Sequence, residues 1–268
     1  MNLNNAPKEI YITEKHTYNH FSKIASKYRT LRTTDSEPIL FIKNRLNGKS
    51  KINMADVGCG DGRYSLEFLR YLEDKCYLHC IDSNEDMLKH LKDYLTEQNM
   101  MNFCTRQGYA DKLPLENDSM DCIVTFNAIH HFDIQRFLGE ALECLKEDGK
   151  LFIYTRLKNQ NSRNIWGQYF PLFTEMENRL FEYDELKSHI QQADMRIFHK
   201  KIFGYNRTSS LTKLLEKARM NHYSTFSLYS EDSFETSLET FEQNVRDNFD
   251  DLENINWQDE NILIEIEK

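Results

Sequence analysis

Short apolar runs and amphipathic stretches alternate along most of the chain. The apolar runs are nearly continuous, as central parallel strands require, and the amphipathic stretches carry apolar residues at helical spacing. Strands are predicted at about residues 52–58, 77–81, 102–107, 120–126, 150–154, 196–203 and 261–266. Helices are predicted at about residues 16–32, 38–46, 63–72, 85–97, 134–145, 183–192, 210–219 and 231–248. This alternation predicts an α/β fold with a doubly wound, mostly parallel sheet.

A glycine-rich turn follows the first predicted strand and precedes a predicted helix. Its glycines are Gly58, Gly60 and Gly62, which allow a sharp turn and a close approach of a ligand to the backbone. The spacing differs from the dinucleotide fingerprint, because Arg63 stands where that pattern needs glycine, and no Walker A sequence follows. Asp56 before the turn is unfavourable for a pyrophosphate and favourable for an ammonium group, so we expect a ligand with a cationic end.

Polar side chains follow the ends of the other predicted strands, where ligands bind in open α/β sheets. Asp82 lies twenty residues beyond Gly62, from where an acid can bind the two hydroxyls of a ribose. Met87 can lie against a flat base, and Asp111 can accept from an exocyclic amine. Asn127 faces the middle of the cleft. An adenosine joined to a zwitterionic amino acid fits this set of residues.

Five segments, in this order, resemble the motifs of class I S-adenosylmethionine-dependent methyltransferases, closest to the ubiquinone-biosynthesis-like "methyltransferase 11" group. They are residues 56–62, 80–87, 109–114, 127–132 and 145–151. The resemblance covers about residues 50–157, with a weaker match at 21–28. It departs from the family at Lys150, where the family often repeats glycine. The motifs are specific for the cofactor and say little about the substrate.

The resemblance implies S-adenosyl-L-methionine as the cofactor and a Rossmann-like sheet of seven strands, the last of them antiparallel. It places Asp56 and the glycine backbone near the methionine moiety, Asp82 at the ribose, Asp111 at the adenine amine and Asn127 near the methionine amine or sulfonium. The predicted cofactor-binding residues are Asp56, Gly58, Cys59, Gly60, Gly62, Asp82, Ser83, Met87, Ala110, Asp111 and Asn127.

The same resemblance implies a lid and a cap around the cofactor domain. Residues 1–48 are expected to form a helical lid, residues 49–206 with 258–268 the methyltransferase domain, and residues 207–257 a helical cap insertion. The predicted substrate-binding residues are Tyr18 and Tyr28 of the lid, and Trp166, Tyr169 and Phe170 near the cap. The alternative for the last three is ordinary apolar core between cap and domain.

Two histidines follow the fourth predicted strand and are candidates for catalysis. Methyl transfer from a sulfonium is an in-line displacement, in which the protein positions the acceptor and removes its proton where needed. His131 and His130 lie at the strand end where a general base would act, and the family often has His at position 131. The alternative is that one of them caps the following helix or packs against the lid.

The acidic composition limits which partners we expect the protein to bind. The chain has 43 acidic against 34 basic residues and a formal net charge of -9, which argues against a polyanion as the obvious partner. No apolar stretch approaches the roughly 20 residues of a membrane span, and the N-terminal residues lack a signal-peptide core. The six cysteines form no C-x-x-C pair and lack metal-ligand spacing. We therefore expect reduced thiols in a cytoplasmic protein, with no metal site.

Three functions remain open from the sequence. The first is a methyltransferase for a small-molecule acceptor, which the acidic balance and the aromatic cap favour. The second is an RNA (tRNA) methyltransferase, because His130 to Arg136 also resembles tRNA wobble-uridine enzymes. That function needs a basic surface, for which the candidates are Lys200, Lys201, Arg207, Lys213, Lys217 and Arg219. The third is a cofactor-binding partner protein without catalysis. The sequence indicates no oligomeric state.

Overall fold

A seven-stranded sheet forms the centre of the protein. A computed structural model describes Ser22 and residues 32–268. The strands are β1 (Ile52–Val57), β2 (Cys76–Asp82), β3 (Phe103–Gln107), β4 (Met120–Phe126), β5 (Leu145–Thr155), β6 (Arg196–Ser209) and β7 (Ile255–Glu267). Their order in the sheet is β3-β2-β1-β4-β5-β7-β6. The pairs among β1 to β5 are parallel, whereas β7 runs antiparallel to both β5 and β6. The predicted doubly wound sheet with an antiparallel last strand is confirmed.

Helices cover both faces of the sheet. Those of the sheet region are α1 (Glu37–Arg45), α2 (Arg63–Leu72), α3 (Glu85–Glu97), α4 (Ile134–Cys144) and α8 (Tyr183–Gln192). Apolar side chains of α1, α2 and α3 pack on one face, and those of α4 and α8 pack on the other. Every residue of β4 is buried, which explains its nearly continuous apolar sequence.

The chain reverses its winding direction between β1 and β4. It proceeds from β1 to β2 and β3 on one side, then returns to β4 on the other side of β1. In open α/β sheets a crevice forms beyond the carboxyl ends of the strands at such a switch point. The glycine turn after β1 and Asn127 after β4 both lie at this crevice.

The two last strands are longer than the sequence predicts. They pair from Arg196 with Glu267 as far as Ser209 with Ile255. Most side chains of β6 are exposed because it lies at the edge of the sheet, so no apolar run marks its full length. Residues 207–209 and 255–257, which the sequence analysis assigns to the cap, are therefore strand residues.

The cap is built from two segments of the chain. One contains α5 (Lys158–Asn161), α6 (Ile165–Tyr169) and α7 (Phe173–Met176), and the other contains α9 (Leu211–Arg219) and α10 (Glu231–Asn248). Both contribute to a separate apolar core that is rich in aromatic rings. The cap thus combines the predicted insertion with the aromatic segment that follows β5.

Of the predicted lid, Ser22 and residues 32–48 are described, and its second predicted helix, α1, packs on one face of the sheet. Tyr18 and Tyr28, its predicted substrate-binding residues, both lie outside them. Ser22 is helical, and its Oγ accepts a hydrogen bond from Asn84 Nδ2 at 3.0 Å. In the part of the chain that the structure describes, every helix is too short or too polar to cross a membrane.

Candidate functional site

The turn between β1 and α2 depends on its glycines. Gly58, Gly60 and Gly62 all have positive φ, at 73°, 56° and 86°. A Cβ on Gly58 would lie 2.6 Å from Cβ of Ala128, and one on Gly62 would lie 2.7 Å from Cγ of Leu91. Backbone conformation and close packing therefore both require glycine at these two positions.

Asp82 fixes this turn to the end of β2. Its Oδ2 accepts from the backbone N–H of Gly60 and its Oδ1 from that of Asn84, both at 2.9 Å. Asn84, and not Asp82, caps α3, because its side chain accepts from Met87 N. Burial raises the pKa of Asp82, while the backbone hydrogen bonds oppose that shift. Each carboxylate oxygen has two lone pairs, so Asp82 retains capacity for ribose hydroxyls.

Asp56 is a buried carboxyl beside the turn. Its side chain is only 1% exposed, and its Oδ2 accepts from Ser65 Oγ at 2.7 Å. Its Oδ1 is buried without a hydrogen-bond partner among the described residues. Burial is the main cause that raises the pKa of Asp56 to about 7, and the nearby charge of Asp82 adds to the shift. An orphaned carboxylate oxygen in this place fits the ammonium end of the predicted ligand.

The remaining predicted cofactor residues lie in the turn itself or in the segments that follow β2 and β3. Met87 is buried in the first turn of α3, and Ser83 accepts from Gln107 Nε2 through its carbonyl oxygen. Ala110 and Asp111 are half-buried at the rim, where Asp111 Oδ2 lies 3.4 Å from Arg136 Nη1. Cys59 donates its backbone N–H to the carbonyl of Ile81. The described elements thus place every predicted cofactor residue at the ends of β1 to β4.

Asn127 connects this region to the cavity beside it. Its φ of 54° is uncommon for a residue other than glycine but tolerated by asparagine. Its N–H donates to the carbonyl of Tyr154 at 2.7 Å, and its Oδ1 accepts from Asn261 Nδ2 at 2.8 Å. Neighbours on β5 and β7 therefore hold Asn127 in place.

His130 and His131 lie in a 3-10 turn after β4, and both line the cavity. Their ring centroids are 4.1 Å apart. Nδ1 of His130 is buried and lacks a hydrogen-bond partner among the described residues. Burial, then the charges of Arg179 and Arg32, hold the pKa of His130 well below its usual value. Neither histidine caps the next helix, since Asp133 accepts the capping hydrogen bond from Arg136 N.

A cavity of about 170 Å³, called here the acceptor cavity, lies between the strand ends and the cap. Trp166 lines it, as predicted, and its ring also stacks on Phe241 in the cap core. The expectation that Tyr169 and Phe170 line the same pocket needs correction. Phe170 is 3% exposed inside the cap core, and Tyr169 packs at the edge of that core against Phe249. These two rings stabilise the cap and do not line the acceptor cavity.

Three lining residues have no role predicted from the sequence, namely Arg156, His222 and Tyr223. Arg207 and Lys217, which are candidates for the basic surface of an RNA methyltransferase, also line the cavity. Arg156 directly follows β5 at its carboxyl end, which is a signal that sequence reasoning could have used. His222 and Tyr223 follow α9, and only the packing of the cap brings them to the cavity.

His222 is held in one tautomer by its surroundings. Its Nδ1 lies 3.0 Å from the carbonyl oxygen of Lys217, which can only accept, so Nδ1 carries the proton and donates. Burial, then the charges of Arg32 and Lys217, keep the pKa of His222 well below its usual value. The ring is therefore neutral, and its Nε2 is an acceptor at the cavity wall.

Residues 54–149 match the protein family described as a methyltransferase domain. This chain carries a class I S-adenosylmethionine-dependent methyltransferase domain. The cofactor of the domain is S-adenosylmethionine, and the orphaned oxygen of Asp56 agrees with its ammonium end.

The curated relatives share the domain at low identity. An uncharacterised methyltransferase, YcgJ of Bacillus subtilis, is 25% identical over 179 residues, which are 65% of this chain and 65% of YcgJ. The mouse tRNA (carboxymethyluridine(34)-5-O)-methyltransferase ALKBH8 is 26% identical over 183 residues, 62% of this chain and 24% of that protein. The ubiquinone/menaquinone biosynthesis C-methyltransferase UbiE of Marinomonas is 25% identical over 167 residues, 58% of this chain and 66% of UbiE. Each alignment spans less than two thirds of the relative's length.

The fold extends further along the chain than these sequence matches. The crystal structure of YcgJ has a TM-score of 0.60 and 18% identity to this chain, and the alignment covers 87% of this chain and 98% of YcgJ. At this identity the likeness shows the shared fold.

Proposed function

We propose that the protein transfers a methyl group from S-adenosylmethionine to a small-molecule acceptor bound in the acceptor cavity. The observation that supports this most is the position of the cavity. Asn127 belongs to the predicted cofactor residues and also lines the cavity. The volume of about 170 Å³ suits a small acceptor, since a cavity of about 150 Å³ holds a benzene molecule.

Three acidic side chains would bind hydrogen-bond donors of the cofactor. Asp56 would accept from the ammonium group, Asp82 would accept from the ribose hydroxyls, and Asp111 at the rim would accept from the adenine amine. When bound, S-adenosylmethionine supplies the electrophilic methyl group. The protein's own contribution is to orient the acceptor and to keep water from the cavity.

The histidines of the cavity wall would accept the acceptor's proton where the reaction releases one. The depressed pKa keeps His130 neutral at physiological pH, so its imidazole has a free lone pair. His131 lies beside it at the cavity wall. Both remain candidates for a general base in this proposal.

RNA as the acceptor is the second candidate, and the similarity to ALKBH8 is what favours it. ALKBH8 is named as a tRNA methyltransferase, whereas UbiE is named as a C-methyltransferase of ubiquinone and menaquinone biosynthesis. An RNA acceptor would need a basic path to the cavity. The net charge of -9 and the modest cavity volume favour the small molecule.

Calorimetry with S-adenosylhomocysteine tests the cofactor part of the proposal. Asp82→Ala removes the acceptor of the ribose hydroxyls and the tie to Gly60, so we expect affinity to fall at least tenfold. Asp86→Ala is the matched control, because Asp86 is exposed on the next helix and should stay within twofold of the wild type. An absence of heat with both S-adenosylmethionine and S-adenosylhomocysteine would disprove the proposal.

A radiolabel experiment then separates the acceptor classes. The protein is incubated with methyl-labelled cofactor and either cell metabolites below about 1 kDa or total RNA. Label in the metabolite fraction supports the small-molecule acceptor. Label only in RNA supports the second candidate, an RNA methyltransferase. Binding of the cofactor without label in either fraction indicates a cofactor-binding partner protein without catalysis.

A further inference from the structure

The acceptor cavity has an excess of positive side chains in a chain that is acidic overall. Its described wall includes five cationic side chains, those of Arg32, Arg63, Arg156, Arg207 and Lys217. It includes three acidic ones, those of Asp35, Glu177 and Asp259. The formal net charge of the whole chain is -9, so the wall has the opposite sign to the molecule. The positive potential of such a wall raises the local concentration of anions.

The acidic side chains are occupied by particular partners. Both carboxylate oxygens of Asp35 accept from Nη2 of Arg207, at 2.9 and 2.7 Å. Asp259 lies 3.1 Å from Arg156 Nη2 and 3.4 Å from Arg207 Nε. Two acids thus balance two guanidinium groups.

Glu177 does not reduce the positive charge of the wall. It pairs with Arg179, which is not a lining residue, through hydrogen bonds to both of its oxygens. The Oγ1 of Thr225 donates to Glu177 as well. The described ion pairs of Asp35, Asp259 and Glu177 thus involve Arg207, Arg156 and Arg179, and none of them involves Lys217.

Lys217 adds a positive charge to the cavity wall. It is half-buried on α9, and within residues 32–268 its ammonium group forms no ion pair. Burial lowers the pKa of Lys217, and the charges of Arg207, Lys213 and Arg32 lower it further, against the opposing charge of Asp259. Burial is also the main cause of the lowered pKa values of His130 and His222, and nearby positive charges, including Lys217 at His222, add to it.

We infer that the acceptor carries an anionic oxygen group, a carboxylate or a phosphate, which Lys217 binds together with the guanidinium groups of the cavity wall. This inference rests on the proposed function and specifies its substrate class. A half-buried cation without a counter-ion is costly, and an anionic ligand removes that cost on binding. The cavity volume limits the rest of the acceptor to about the size of one substituted ring.

Binding of matched probes to the S-adenosylhomocysteine-saturated protein tests this inference. The probes are benzoate, phenyl phosphate and the neutral benzyl alcohol, which share a ring and differ in charge. Calorimetry at low salt should show at least one anion binding tenfold or more tightly than benzyl alcohol. Lys217→Gln should weaken that anion at least tenfold, and Lys217→Arg should restore most of the affinity.

Two controls separate a direct contact from general effects. Lys213→Gln removes the same charge from an exposed position on the same helix and should change anion affinity less than twofold. Affinity for S-adenosylhomocysteine should stay within twofold in all three variants. Equal binding of the anions and benzyl alcohol, or unchanged anion binding in Lys217→Gln, overturns the inference. If S-adenosylhomocysteine itself fails to bind, the proposed function fails as well, so the two failures are distinguishable.

Discussion

Asp56 combines burial, a raised pKa and an orphaned oxygen at the place assigned to the ammonium group of the cofactor. Its pKa is about 7 in the folded protein, against an ordinary value of 3.8. Between these two values the unfolded chain has released the proton that the folded protein still holds. The folded state without ligand therefore loses stability as the pH rises from about 4 to about 7.

Cofactor binding should show the opposite pH dependence at this residue. If only ionised Asp56 binds the ammonium group, the competent fraction falls roughly eightfold between pH 7.5 and pH 6, given a pKa of about 7. We expect the Kd of S-adenosylhomocysteine to rise by about that factor over this interval, measured by calorimetry. Asp56→Asn should bind more weakly at pH 7.5 and lose most of the dependence. An equally steep dependence in the variant would contradict this role.

The sequence predicts the positions of the candidate cofactor residues better than the residues that line the acceptor cavity. Asp56 and Asp82 lie in the last two residues of β1 and β2, and Asn127 directly follows β4. The topology of a parallel sheet brings such strand ends together without further information. His222 reaches the cavity only through packing of the cap. Phe170 is an aromatic residue of the kind expected in a pocket wall. It lies in the cap core instead, because an aromatic side chain suits either place.

For the strands, burial determines how well the pattern of apolar residues predicts the first and last residue. The predicted and observed bounds of β4 agree, because all of its residues are buried and most of them are apolar. β6 extends six residues beyond its predicted end, because an edge strand paired on one side needs no apolar run. β5 begins at Leu145 instead of 150, where charged residues and Gly149 resemble a turn.

Two glycines with positive φ allow backbone strain and steric clash to be measured separately. Gly62 lies in the glycine turn, and Gly48 lies shortly after α1. Gly62→Ala places a Cβ at positive φ and 2.7 Å from Leu91 Cγ in the core, so we expect a loss of about 2–4 kcal/mol in the free energy of unfolding. Gly48→Ala has positive φ but no atom within 4 Å, so it should cost about 1 kcal/mol. Urea denaturation measures both values. Similar costs at the two positions would show that the clash with Leu91 is relieved without penalty.

At the scale of the whole molecule, the two long strands connect the sheet to the cap. β6 begins in the sheet and ends beside the cap. β7 runs the opposite way, from Ile255 in the cap core back into the sheet. Asp259 on β7 lies between Arg156 after β5 and Arg207 on β6. Strand pairing thus joins the sheet to the cap, and the ion pairs fasten the strand ends beside the acceptor cavity. We therefore expect sheet and cap to unfold as one cooperative unit.

Asp259→Asn tests this connection, since it removes the shared partner of two poorly exposed guanidinium groups. The side chains of Arg156, Arg207 and Asp259 are 11%, 19% and 14% exposed. Arg156 therefore loses its ion-pair partner while it remains largely desolvated, whereas Arg207 keeps Asp35. We expect a loss of about 2–4 kcal/mol in the free energy of unfolding, with a single transition by fluorescence and circular dichroism. Glu260→Gln is the matched control on the neighbouring residue. Its partner Arg163 is 53% exposed, and solvent screening should keep the cost below about 1 kcal/mol. Equal costs would contradict the stabilising role of the ion pairs at Asp259, and two separate transitions would show that cap and sheet unfold independently.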